Sequence, residues 1–407
     1  MTLGALILAS QILAADASHG VPKPVVKTQG FLPFADAPIH YRTSATLADQ
    51  ITVLNRQLEA GQAKLDYEPQ NGYLRSVLKL LGVPESSQTL VYSKTSLQFQ
   101  HITPQSPRAL YFNDNVYVGQ VRNSKSLELI AFDATQGAVF YVLGEQKQDE
   151  PRFERAQLDC VQCHIANATR GIPGVMVRSV VTNAVGYPKG GAPIVTMGHE
   201  TPYDKRWNGW YVTAKDKPAL VETLDTKPFL NPHSDVVAHM VLAHQTQMHN
   251  LITETNYRYR IAQHRKEGPD TWQAAAEATL RYLLFTTEAP LPNTFTGDST
   301  FASDFAALGP RDRKGRTLRD FELSKRLFRY PLSYLIYSDA FDAIPAEARN
   351  YVLKRLFDVL SGRDQTPDFA VVSLADRRAI LEILVDTKPG LPDEWRQFLN
   401  QPESARQ

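Results

Sequence analysis

The chain has 407 residues, 43% of them hydrophobic and 21% charged, with 44 Lys and Arg against 43 Asp and Glu for a net charge of +1. That balance belongs to a globular chain of two or three units of about 100–200 residues, and it offers no overall field to draw nucleic acid or an anionic membrane. Only two cysteines occur, which excludes a disulfide-stapled scaffold, a four-Cys zinc site and a Cys-ligated iron–sulfur cluster.

Leu3–Ala14 is an apolar run shorter than the about 20 residues that span a bilayer. It suits the core of a secretory leader, and Ala15–Ala17 fits a small-residue cleavage site before Ser18, although no basic residue precedes Lys23. Residues 1–17 are therefore expected to be a signal peptide, with no other segment apolar enough to cross a membrane. From Ser18 to Thr43 the chain is Pro-rich and aperiodic, which predicts an extended surface arm. Leu47, Ile51, Leu54 and Leu58 recur at helical spacing, with Ser44 or Thr46 as cap and Gly61 as stop, and a second helix is expected over about 72–81. The period then changes to two over Leu110–Phe112, Val116–Val121, Leu127–Phe132 and Ala138–Leu143. Asn, Asp, Ser and Gly at each corner mark these as an antiparallel β-meander.

Residues 151–218 have little long periodicity, many Gly and Pro, and both cysteines, in Cys160-Val161-Gln162-Cys163-His164. Two thiols separated by two residues can each add across a haem vinyl group, and the histidine directly after the second is then tethered under the iron. Three other readings remain: a redox dithiol, which wants a βαβ surround; a zinc half-site, which needs two distant ligands; and chance. This stretch resembles a c-type cytochrome with a single covalent haem. The resemblance implies haem c as cofactor, Cys160 and Cys163 as its attachment points and His164 as proximal iron ligand. It also implies that the Gly171–Gly174 loop offers a backbone carbonyl to the imidazole N–H. Outside about 155–180 the match to small cytochromes fails, because some 150 residues precede the motif. The chain as a whole is similar to large exported bacterial proteins that carry one haem.

The second axial ligand in such proteins is a Met or His farther along, and Met197 and His199 share a Gly-containing loop that makes them the first candidates. Met176, flanked by valines, is expected to be strand core. Helices follow over about 235–263, 270–285, 346–360 and 374–385. His239, His244 and His249 lie on the first of these, but steps of five turn a helix about 140° past a full circle, so they do not converge on one metal. Met240, His244 and Met248 share a face, as core or as the cover of a haem's distal side. Trp207, Trp210, Tyr211, Tyr257 and the cations Arg178, Arg206, Arg258 and Arg260 are candidates for haem walls and propionate partners. The basic stretch from Arg311 to Arg329 interleaves with Asp312, Asp320 and Glu322 and is expected to be a solvated face.

The expected fold class is α+β, with N-terminal helices and an antiparallel β-meander, an irregular haem-binding segment and a mostly helical C-terminal half. Its units are 18–150, 151–265 and 266–407. The expected function is that of a periplasmic c-type cytochrome transferring electrons to a partner protein. A peroxidase-like oxidoreductase would instead need an open sixth iron position and nearby acid–base groups, for which His199, His244 and Arg206 are available. A gas-binding sensor would use the open position alone.

Overall fold

The computed structural model describes residues 32–44, 46–156, 158–215 and 224–401. The leader-like 1–17 and the first part of the arm lie outside the described residues. Helix α1 (Gln50–Glu59) buries Ile51, Leu54 and Leu58. Its cap is neither Ser44 nor Thr46 but Asp49, whose Oδ1 accepts from the backbone N–H of Ile51 and of Thr52 at 3.0 Å each. Directly before the first helical residue, this carboxylate reaches two amides that have no partner inside the helix. Helix α2 (Leu74–Leu80) follows.

Strands β1 (Thr89–Val91), β2 (Arg108–Phe112), β3 (Val116–Gln120), β4 (Ser126–Asp133), β5 (Gly137–Gly144) and β6 (Glu154–Arg155) precede a one-turn-plus helix, α3 (Leu158–His164). β7 (Arg178–Val180) and β8 (Ile194–Thr196) form a separate ribbon, and β9 (Trp210–Tyr211) returns to the main sheet. The main sheet is antiparallel with order β6-β5-β4-β3-β2-β1-β9. Its centre is the expected meander. β1, β6 and β9, at two or three residues each, are too short to carry a period-two signal.

Alternation divides the sheet into two faces. Ala109, Tyr111, Val116, Val118, Leu127, Leu129, Ala131, Val139, Tyr141 and Leu143 turn toward α1 and α2 and form one core with them. Phe112, Tyr117, Phe132, Ala138 and Phe140 turn the other way, into the core built around helix α4 (Val236–Arg265). The rest of that second face is Arg108, Leu110, Gly119, Glu128, Ile130 and Val142, and it lines a cavity.

α4 is buried on nearly all sides, so its polar residues must find partners inside the protein. Gln245 donates to the Asn113 carbonyl at 2.8 Å, Thr255 and Thr279 share a hydrogen bond, and Glu254 pairs with Arg170 and with Arg258. Against α4 pack α5 (Asp270–Leu283), α6 (Phe301–Ala307), α7 (Asp339–Asp342) and α8 (Ala346–Leu360), with α9 (Leu374–Thr387) on α8 and α10 (Asp393–Asn400) on α9. The α+β class and the helical C-terminal half agree with the sequence-based expectation. The larger core runs from Leu32 to Trp395, so the expected units share one hydrophobic interior.

Two expectations are corrected by packing. The described end of the arm is not a surface strap: Ile39 and Tyr41 are buried, and the Tyr41 hydroxyl donates to the Ala138 carbonyl at 2.7 Å. Arg319, within the basic stretch, is buried and pairs with Asp114 at a meander corner, whereas Arg313, Lys314 and Arg316 are tied to Asp386 and Glu382 at the surface. Among the described residues, no helix is long and apolar enough to cross a membrane.

Candidate functional site

α3 presents Cys160, Cys163 and His164 within two turns of backbone, and all three line the cavity beside the sheet. Cys160 is half-buried, Cys163 is exposed, and neither is in a disulfide. His164 packs against Phe140 of β5 with ring centroids 4.8 Å apart. Its Nδ1 lies 2.9 Å from the carbonyl oxygen of Gly174. An imidazole donating through Nδ1 leaves Nε2 as the lone-pair nitrogen, the form that ligates a metal. Burial pushes the His164 pKa down to about 4; the Gly174 carbonyl opposes this, and the charges of Arg108 and Arg178 reinforce it. The ring is therefore neutral at pH 7 and ready to coordinate.

The loop that supplies this carbonyl is built by Thr169 and Asn250. Thr169 is fully buried, and its hydroxyl lies 3.0 Å from the His164 carbonyl and 2.9 Å from that of Ile172. Asn250 of α4 reaches across to Val175, donating to its carbonyl at 2.7 Å and accepting from its N–H at 2.9 Å. Gly174 must be glycine here, since a Cβ would lie 2.9 Å from the Thr169 Cβ and closer still to the Asn250 side chain. Sequence spacing could not point to Asn250, which comes from a helix 75 residues away.

The cavity has a volume of about 360 Å³, within the range of about 300–1,000 Å³ typical of cofactor sites. Its walls are largely apolar: Leu110, Ile130, Phe140 and Val142 from the sheet, Val175 and Val177 from the loop, and Leu242 from α4. Leu97 and Phe99 stand at its edge as exposed large hydrophobics. Two cysteines and an imidazole Nε2 at the edge of an apolar cavity are a donor set that would suit a flat apolar cofactor.

The other candidates fall elsewhere. Met197 is buried, and its sulfur accepts the Trp207 N–H at 3.3 Å. His199 and His244 hydrogen-bond to each other through Nδ1 atoms 2.9 Å apart, stacked on Tyr282 and Phe285. His244 Nε2 lies 2.8 Å from the Ser333 hydroxyl. None of these three lines the cavity, because the 177-to-197 backbone pairing carries the 197–199 loop past the ribbon and into the α5 side of the core. Met176 is the reverse case: it is half-buried and lines the cavity rather than strand core, with its sulfur 2.7 Å from Arg178 Nη2.

His239, His244 and His249 point to three neighbourhoods, at Tyr211 and Ser234, at His199, and at Tyr117 and Phe132 respectively. Arg206 is buried against the carbonyls of Thr201 and His199, and Arg258 and Arg260 serve Glu254 and the Thr135 carbonyl. Trp207 and Trp210 line a different cleft with Tyr203 and Phe295. The charged side chains that line the cavity are Arg108 and Glu128, which sequence reading passed over. The available signal was parity: both sit on the face that Leu110, Ile130 and Phe140 otherwise make apolar.

No protein-family model, curated protein or solved structure matches the chain. The functional argument therefore rests on the site itself.

Proposed function

We propose that this protein is an exported c-type haem protein whose single haem is held by thioethers to Cys160 and Cys163, with His164 as proximal ligand and the sixth iron position left to an exogenous small ligand. The observation that carries the reading is the 2.9 Å contact between His164 Nδ1 and the Gly174 carbonyl, made by a histidine that shares a short helix with both cysteines at the edge of an apolar cavity. A redox dithiol has no use for such a buttressed imidazole.

Bound there, haem would supply one-electron chemistry and a coordination position. The chain's own residues orient the imidazole through Gly174, exclude water with Leu110, Ile130, Val142 and Leu242, and keep the proximal nitrogen unprotonated. An open sixth position is favoured over a Met/His or bis-His carrier because Met197, His199 and His244 are engaged in the core. Met176 lines the cavity, but its sulfur is engaged by Arg178 Nη2 at 2.7 Å. This places a ligand-binding or oxidoreductase role ahead of simple electron transfer.

The test is an optical spectrum of the purified holoprotein. A high-spin ferric form that binds CO after reduction is expected. A low-spin spectrum unmoved by CO restores the carrier, and absence of haem-dependent peroxidase stain on a denaturing gel defeats the haem assignment altogether.

A further inference from the structure

We propose that Arg108 is the recognition group of this cavity, a hydrogen-bond donor for a small anionic ligand of the iron, and that Glu128 positions it. This inference rests on the open-site reading above.

Arg108 and Glu128 lie on adjacent registers of the sheet face that forms the cavity wall. Gly119 stands between them, paired with Leu110 of β2 on one side and with Glu128 of β4 on the other. Having no side chain, Gly119 leaves a shallow bed on the sheet in which the guanidinium lies flat: a Cβ there would stand 2.7 Å from Nε and 2.8 Å from Cζ. Arg108 Nη2 is 2.5 Å from Glu128 Oε2, and that carboxylate is held further by Ser96 Oγ at 3.3 Å and Gln98 Nε2 at 3.2 Å. The pair is thus built from four elements rather than assembled by chance at a surface.

The guanidinium is only partly consumed by this. Its Nε is buried and has no hydrogen-bond partner. That nitrogen is sealed against Gly119 and Nη2 is held by Glu128, so Nη1 is the donor left to the cavity that Arg108 lines; a charged donor without an acceptor among apolar walls favours a ligand that supplies one. Arg108, Glu128 and His164 line the same cavity. An arginine in an apolar cavity discriminates by charge: an anion gains a charge-assisted hydrogen bond, and a neutral diatomic gains little. The alternative acceptor of the same chemistry is a haem propionate.

The experiment measures azide binding to the ferric holoprotein and CO binding to the ferrous holoprotein in three variants. Arg108→Leu is expected to weaken azide about tenfold or more, the scale of one hydrogen bond to a charged group, and to leave CO within about threefold. Gly119→Ala keeps every charge but displaces the guanidinium, and is expected to weaken azide in the same direction; it carries the test where Arg108→Leu does not accumulate. Glu128→Gln can still accept from Nη2 but no longer neutralises it, so azide should bind more tightly, which mere loosening of the cavity would not produce. If azide affinity is unchanged in Arg108→Leu and Gly119→Ala, the proposal is overturned and the guanidinium serves a propionate or the wall. A wild-type ferric form that is low-spin and binds neither ligand overturns the open-site reading, and this inference with it.

Discussion

The Gly174 carbonyl and the His164 Nδ1 meet at 2.9 Å although ten residues of chain separate them. The contact exists because Thr169 folds the intervening loop and Asn250 holds Val175 from the far side, so the imidazole is oriented by that loop and by α4 together. His164→Ala should keep the haem stain, since both thiols remain, but change the iron's spin state. Loss of the stain in this variant would mean that His164 is needed for attachment itself.

Cys160→Ser combined with Cys163→Ser should abolish the haem stain and lower the melting temperature. The apolar walls would then face water, and the stabilisation that comes from a ligand bound only to the folded state would be lost. An unchanged melting temperature would show that the cavity is not filled by a cofactor.

Asn250→Ala removes two hydrogen bonds inside the core and leaves the Val175 N–H and carbonyl without partners. A loss of about 2–6 kcal/mol is expected by denaturant titration, from about 1–3 kcal/mol for each buried group left unsatisfied. Gly174→Ala, whose Cβ meets Thr169 and Asn250, should loosen the same buttress and raise the mobility of the proximal ring, read as a broadened haem spectrum.

Two opposing titrations act on stability below neutrality. Burial pushes the pKa of His239, His244 and His249 down to about 3 each. Groups with depressed folded values bind fewer protons when folded, so their contribution is present above the unfolded value of about 6.5 and is lost as pH falls below it, by at most about 1.4 kcal/mol per pH unit for each. Glu288 runs the other way, raised by burial to about 7 against the Leu327 N–H and the charge of Arg206. Its contribution is complete below about 4.5 and is lost as pH rises through 7. Three such histidines outweigh one carboxyl, so the melting temperature should rise with pH between 4.5 and 6.5, and Glu288→Gln should steepen that rise; an unaltered profile would show that Glu288 does not titrate in this window.

Haem attachment through thioethers is made outside the cytoplasm in bacteria, so the mature protein is expected to begin near Ser18. N-terminal sequencing that recovers Met1 on a haem-bearing cytoplasmic form would contradict export.

Read alone, the sequence was enough for those features whose cause is local. The four central strands, the long helix at 236–265 and the helices at 270–283, 346–360 and 374–387 were legible because side-chain period is a direct consequence of backbone geometry. The Cys160–His164 motif was legible because its chemistry depends on spacing within two helical turns, and the expected carbonyl partner lay only ten residues on. What tertiary structure decided was everything that depends on register and on distant chain. Met197, His199 and His244 sit within range of the motif in sequence, yet strand pairing carries the first two into the core against Tyr282, and Met176, expected to be core, faces the cavity. Arg108 and Glu128 become neighbours only because the meander pairs Gly119 with both Leu110 and Glu128. A shift of one residue in that register would turn both charges to the other face, so no inspection of either strand by itself reveals that they share a cavity with His164.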